Sequence, residues 1–478
     1  MTRIRRSPVA MARTRALRRR RSTPADDLGR VVATTSQPGT QGPTALSDAE
    51  PYDALVLGAG VSGLTTAAVL ADRGLKVCVV DEYPEPGGNH LSWNVGPYTF
   101  DIGAIFFWHD NPMFQIFPQM MELCVPARYT TEKIVPSGRV VTYPFDFKRE
   151  LYDRPVSYRL SVFTQIMRRK LHAPKLAGSA RDFIAYYIGD TLLHDTGLNT
   201  YFRRFYGLPP EAVSGEFAHM RMRWIADNAG LRAQFMRLAR RRRDPPGSDP
   251  ALALARPRDG FATLYRAATA QLGARGVRFL LGAPLARADI TGHRFELSAG
   301  GSIVSGARLV STIPLARTLS LFGLDETGAP PSIGMITLFC AFRGNRNFDS
   351  LILYNFQHDG TWKRLTMHSD YYGRYEDWQY FSVEITQGLT GTATEPLFED
   401  VRANVRRAGL FEGDFRLVGS ARTEFAYPVY DRTAAAKRDE SIRKLSDLGV
   451  ELLGRQGSFE YIASSKTGIE DVFRKLRP

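Results

Sequence analysis

Three glycines and one acid set the first chemistry this sequence can do. Gly58-Ala59-Gly60-Val61-Ser62-Gly63 follows the apolar run Ala54-Leu55-Val56-Leu57, and Asp81 closes a second apolar run, Val77 to Val80, 18 residues after Gly63. Glycine at 58 permits a tight turn out of a strand. Gly60, lacking a Cβ, lets a pyrophosphate approach the backbone, and Gly63 lets the next helix pack closely on the strand. That helix points free N–H groups and the positive end of its dipole at the anion. Asp81 is spaced to accept hydrogen bonds from ribose hydroxyls. A glycine turn without a ligand is the bland alternative, but strand, turn, helix and acid agree on a dinucleotide. A second group, Arg203, Arg204, Arg221 and Arg364, carries guanidinium forks that suit phosphates and carboxylates. Solvated helix faces are the competing reading for the first three.

Elements must position these groups. With 478 residues, 44% of them hydrophobic, the chain can bury a large core and is expected to form two domains. It has no apolar run long enough to span a membrane. Cys78, Cys124 and Cys340 lie far apart, which suggests buried thiols in a reducing cytoplasm rather than disulfides or a metal site. The formal charge is +14, but residues 1–21 hold nine arginines and no acid, so the remainder carries +14 − 9 = +5. A solvated basic arm explains that better than nucleic-acid binding. Residues 1–50 read as disordered, and Arg5-Arg6 has no apolar segment after it to make an export signal.

Further motifs refine the reading. Gly87-Gly88-Asn89 follows Asp81 after five residues, and Phe100-Asp101-Ile102-Gly103 comes next. Tyr201-Phe202-Arg203-Arg204-Phe205-Tyr206-Gly207-Leu208-Pro209 lies mid-chain. Near the C-terminus stand Tyr427-Pro428 and then Gly454-Arg455-Gln456-Gly457-Ser458-Phe459-Glu460-Tyr461. Together these resemble the flavoprotein superfamily of amine oxidases, protoporphyrinogen oxidases, phytoene desaturases and UDP-galactopyranose mutases.

The resemblance implies FAD, held by Gly58, Gly60, Gly63, Asp81, Gly87, Gly88, Asn89, the backbone of Leu285, Gly454 and Arg455. It implies an α/β fold: a Rossmann-like FAD-binding domain assembled from segments 51–110, 251–320 and 426–478. An α+β substrate domain is inserted as a helical part, 111–250, and a sheet, 321–425. Substrate contacts fall to Arg203, Arg204, Arg221, Arg364 and Tyr427; no catalytic residue is singled out. Relatives often carry a histidine just after the glycine of the Phe-Asp-x-Gly stretch, where this chain has Ala104 and Ile105, leaving His90 and His109 as nearby substitutes. The implied function is hydride transfer from a small molecule to flavin. The alternative is non-redox rearrangement of a nucleotide sugar by reduced FAD.

Overall fold

The computed structural model describes residues 50–143, 150–151, 154–172, 178–221, 252–388, 393–462 and 464–477. The Arg-rich residues 1–49, Arg223, the run Arg240–Arg243 and the side chain of Arg221 lie outside the described residues.

The apolar runs around the glycine turn become the centre of a seven-stranded sheet. Tyr52–Leu57 pairs in parallel with Val77–Asp81 on one side and Ser302–Ser311 on the other. Arg278–Leu281 extends the sheet in parallel beyond Val77–Asp81, and Val450–Leu452 lies parallel to the end of Ser302–Ser311. The hairpin strands Leu285–Thr291 and Arg294–Ala299 complete it. Val77–Asp81 is buried along its whole length, as a parallel strand covered on both faces should be. The helices Val61–Asp72, Phe261–Ala274 and Ser465–Lys475 cover one face, packing Leu64, Leu264, Leu272 and Ile469 with Val56 and Val79.

A second seven-stranded sheet runs in the order Phe411–Pro428, Ser332–Arg346, Gln379–Thr386, Arg364–Met367, Ile352–Asn355, Thr131–Ile134, Val140–Thr142. Both faces of this sheet are covered. Leu338, Cys340 and Phe342 meet Leu397, Phe398 and Val401 of the helix Thr394–Arg407. The intervening Phe339 faces the other way and stacks on Phe100, ring centroids 4.7 Å apart. Phe100 belongs to the hairpin Ser92–Val95 and Tyr98–Asp101, so this contact couples the two sheets.

Candidate functional site

Parallel register brings several strand ends to one level. Leu57 lies beside Val80 and Ser311, and Ser311 beside Leu452. The loops leaving these strands therefore meet over one edge of the sheet, the edge where open α/β sheets bind ligands. Gly58 has φ +99°, and a Cβ on it would stand 2.6 Å from Thr312 Oγ1. A Cβ on Gly63 would fall 1.8 Å from the Gly58 carbonyl oxygen, so the helix presses directly on the turn. Gly60 differs, because its Cβ would meet nothing closer than Gly88 Cα at 3.5 Å. Gly60 therefore lies in ordinary contact with the Gly87–Gly88 backbone. Gly87 N–H donates to Ala59 O at 2.9 Å, and a Cβ on Gly454 would lie 2.5 Å from Ser62 Oγ. The three glycine turns thus form one cradle of backbone around the start of helix Val61–Asp72, whose first N–H groups have no intrahelical acceptor.

Three predicted cofactor contacts are engaged within the protein. The Asp81 carboxylate is buried and accepts from Ala59 N–H at 2.6 Å and Tyr83 N–H at 2.9 Å. It therefore fixes the glycine turn, and burial raises its pKa against the pull of those two bonds. Asn89 donates its side-chain amide to Phe425 O at 3.1 Å, and Gln456 donates to the same oxygen at 2.7 Å, tying the cradle to strand Phe411–Pro428. Leu285 donates its N–H to Glu82 Oε1 and accepts from Arg317, which also pairs with Glu82. Those two half-exposed side chains cover the backbone edge expected to meet an adenine.

The substrate-domain residues separate into two groups. Arg364 lies at the junction of the sheets, its Nη2 3.7 Å from the position a Cβ would take on Gly103. It pairs with Glu384, directly opposite on the neighbouring antiparallel strand, and Lys363 Nζ reaches the other oxygen of Glu384 at 2.7 Å. Tyr427 adjoins this cluster, with Lys363 Nζ 4.6 Å and Arg455 Cζ 5.6 Å from its ring centroid. Burial alone would raise the Tyr427 phenol, but Lys363 and Arg364 outweigh it and hold its pKa below the ordinary value. Phe205 lies 5.2 Å from the Tyr427 ring, and Tyr201 stacks on Phe356 at 4.3 Å.

Arg203 and Arg204 are not in that cluster. Arg203 is exposed on the helix Leu198–Tyr206. Arg204 is buried and donates to the carbonyls of Asn355, Gln357, Asp359 and Gly360. Its guanidinium organises that loop, with four of its five N–H donors given to those carbonyls. Arg204→Lys should therefore not substitute, since one ammonium cannot reach four carbonyls in a plane. We expect a loss of about 2–4 kcal/mol in urea unfolding for either Arg204→Lys or Arg204→Met. A wild-type midpoint in Arg204→Lys would reject this role.

The histidine missing after Gly103 is not replaced by His109, which is exposed. His90 contacts the hydroxyl of Tyr265 and packs among Phe107, Phe261 and Tyr265. Burial, then the charge of Arg455, drives its pKa down to about 3. The histidine beside Asp101 is His368, which sequence reasoning passed over. Its Nδ1 lies 2.7 Å from Tyr371 Oη and 3.8 Å from Asp101 Oδ2, and Nε2 lies 3.0 Å from Ser382 Oγ. Asp101 is held by Arg256 Nε at 2.6 Å and by Ser92 Oγ at 2.7 Å. Burial lowers the His368 pKa to about 4, although Asp101 opposes this. Because the folded pKa is depressed and the side chain is a base, the unfolded chain takes up the proton first as pH falls. Stability should drop from about pH 6.5 downward toward pH 4, by about 2 kcal/mol at pH 5. Denaturant unfolding at pH 7.5 and 5.0, compared between wild type and His368→Asn, checks this. Equal losses in both proteins would remove His368 as the cause.

Comparison with known proteins agrees with this geometry. Residues 56–120 match the family model described as an NAD(P)-binding Rossmann-like domain. In solved structures, the chain superimposes on reduced UDP-galactopyranose mutase with a TM-score of 0.71 at 20% identity, covering 90% of this chain and 94% of that one. It superimposes on cyclohexylamine oxidase from Brevibacterium oxydans IH-35A with a TM-score of 0.60 at 14% identity, covering 89% and 98%. The chain has the fold of these two solved structures. Among curated proteins, prolycopene isomerase 2 of an Oncidium hybrid cultivar is 33% identical over 103 residues, and 4,4'-diapophytoene desaturase of a Methylomonas species is 36% identical over 70. Those matches span 17% and 13% of the relatives' lengths and 21% and 15% of this chain. The cradle of glycine turns at the uncapped start of helix Val61–Asp72 fits the pyrophosphate of FAD. Gly58, Gly60, Gly63, Gly87, Gly88, Gly454 and Arg455 are the residues that would hold it. No described helix is long and apolar enough to cross a membrane.

The signal that could have marked this junction is one carboxylate. Glu384 is the one charged residue in the fully buried strand Gln379–Thr386. A charge in such a strand needs a partner. Which partner depends on strand register, and neither Lys363 nor Arg364 advertises it locally.

Proposed function

We propose that the protein is an FAD-dependent enzyme acting on a small molecule that carries an anionic group, at the junction beside Tyr427. The observation that supports this is the balance of charge there. Lys363 and Arg364 share the single carboxylate of Glu384, and Arg455 adds a third cation 5.6 Å from the Tyr427 ring centroid. Charge withdrawn from water costs several kcal/mol unless it is paired, so the surplus favours an anionic ligand. A diphosphate meets that need. Phe205, Tyr201 and Tyr354 supply ring surfaces near it for a base or sugar.

FAD bound at the glycine cradle would supply hydride acceptance or, when reduced, a nucleophile for an anomeric carbon. The first chemistry is that of an oxidoreductase taking hydride from an amine, alcohol or ring carbon. The cationic surplus favours the second, a nucleotide-sugar mutase. In either case Arg364 and Lys363 bind and orient the anionic group, and Tyr427 is held where its proton is easily shared. An anaerobic visible spectrum tests the reading. Mutase chemistry requires a flavin spectrum unmoved by amines and alcohols, with nucleotide-sugar turnover only after chemical reduction. Bleaching by an amine or alcohol would establish the oxidoreductase instead, and no flavin spectrum after added FAD would overturn both.

A further inference from the structure

The helix Val156–His172 presents an apolar face that no element among the described residues covers. Leu160 and Phe163 are each 59% exposed and Leu171 is 75% exposed, with Val156 and Met167 beside them. At about 100° per residue these five positions fall within an arc of about 80°. The opposite face already anchors the helix. Val162 and Ile166 are buried there, Gln165 Nε2 donates to Thr191 Oγ1 at 2.7 Å, and Arg169 pairs with Asp190 at 2.9 Å. The outer stripe is therefore surplus to folding, and five large apolar side chains in one exposed stripe mark an interaction surface.

Charge identifies the occupant. The helix sequence contains four cations, Arg159, Arg168, Arg169 and Lys170, and no acid. Arg159 and Lys170 project along one border of the stripe, both exposed, and Arg168 and Ser161 lie toward the other. Apolar residues bordered by basic ones are the pattern of a helix lying in the interface of a bilayer, its side chains among the acyl chains and its cations at the headgroups. A second copy of the chain fits less well, because two-fold pairing of this face would bring the same cations together without a carboxylate on either helix.

We propose that Val156–His172 docks the protein onto the surface of an anionic bilayer, with Leu160, Phe163 and Leu171 entering the apolar layer. The helix lies in the surface plane and spans nothing.

The test uses the full-length, FAD-loaded protein and sedimentation with phosphatidylcholine vesicles containing about a third phosphatidylglycerol. The nine arginines of residues 1–21 would bind such vesicles by charge alone, so the assay is repeated in about 0.5 M NaCl, where screening acts within about 4 Å. Wild type should remain bound there. A Leu160→Ser, Phe163→Ser, Leu171→Ser variant should lose at least about ten-fold in partitioning, from the apolar area it no longer buries. Unchanged flavin content and circular dichroism would establish that the variant is folded. As a second variant, Arg159→Gln with Lys170→Gln should reduce binding at low salt and leave the high-salt value nearly unchanged. Equal binding by wild type and the serine variant would overturn the proposal. A change from dimer to monomer in light scattering, with no vesicle binding by either protein, would overturn it in favour of self-association.

Discussion

Gly60→Ala should fold like wild type and lose FAD, whereas Gly63→Ala should fail to fold stably. The two changes are chemically identical and sit three residues apart. At Gly60 the added methyl would meet Gly88 Cα at 3.5 Å, an ordinary contact, and the backbone φ of −79° suits alanine. What the methyl occupies is the space above the turn, where the pyrophosphate needs backbone N–H groups. Losing one or two such charge-assisted bonds, about 1.5–3 kcal/mol each, should weaken FAD binding by about 10- to 100-fold or more. At Gly63 the methyl would stand 1.8 Å from the Gly58 carbonyl oxygen, a backbone atom that no rotamer change can move aside. Helix and strand must separate, at a cost of about 3 kcal/mol or more. Apo-protein melting and flavin titration separate the effects, since bound FAD would itself raise Tm. Tight FAD binding by Gly60→Ala would refute the cradle. A wild-type apo Tm for Gly63→Ala would refute the helix–turn contact.

Glu384→Gln should be the most destabilising conservative change in the second sheet. It removes the one carboxylate between Lys363 and Arg364, both withdrawn from solvent, and leaves two cations facing a neutral amide. Breaking a buried pair from one side costs about 3–5 kcal/mol. Lys363→Met combined with Glu384→Gln removes one cation with the anion and should recover at least about 1 kcal/mol of that loss. The pH dependence has a definite sign. Burial alone would raise the Glu384 pKa, but Arg364 and Lys363 outweigh it and hold it below the usual glutamate value. Its stabilisation is therefore complete above about pH 4.5 and is lost as pH falls through the folded pKa. That window lies below the one assigned to His368, so the two contributions can be told apart in a single pH series. The variant also bears on function. With Glu384 neutral the positive surplus grows, so UDP should raise the Tm of Glu384→Gln by more than it raises that of wild type. Additive losses in the double mutant would reject the ion-pair cluster, and an equal UDP effect on both proteins would reject its role in anion binding.

The nucleotide-binding half was legible because its chemistry is local. Gly58, Gly60, Gly63 and Asp81 lie within one strand–turn–helix–strand unit, where Gly58 supplies the turn's positive φ and Gly63 packs on the Gly58 carbonyl. The Gly87-Gly88 turn and the Gly454 turn could be assigned to the same site by resemblance, and parallel register puts them there. The roles of Asp81, Asn89 and Leu285 were less legible. Asp81 turns to Ala59 within its own unit, whereas Asn89 and Leu285 meet Phe425 and the Glu82–Arg317 pair because loops from distant segments close over one another.

By itself the sequence determined the α/β class, the glycine cradle and the strands that carry it, because hydrophobic period and glycine spacing act over a few residues. Only the tertiary structure decided which arginines do what. Arg203 and Arg204 are neighbours in sequence, yet one faces solvent and the other is buried and held by four carbonyls. Arg364 meets Glu384 because antiparallel register sets residue 364 opposite 384, and Tyr427 joins them from a strand that shares the sheet but no nearby sequence. His368 reaches Asp101 across the packed faces of a hairpin and a sheet. Side-chain period says which face a residue takes; register and sheet packing, summed over the whole chain, say what it finds there.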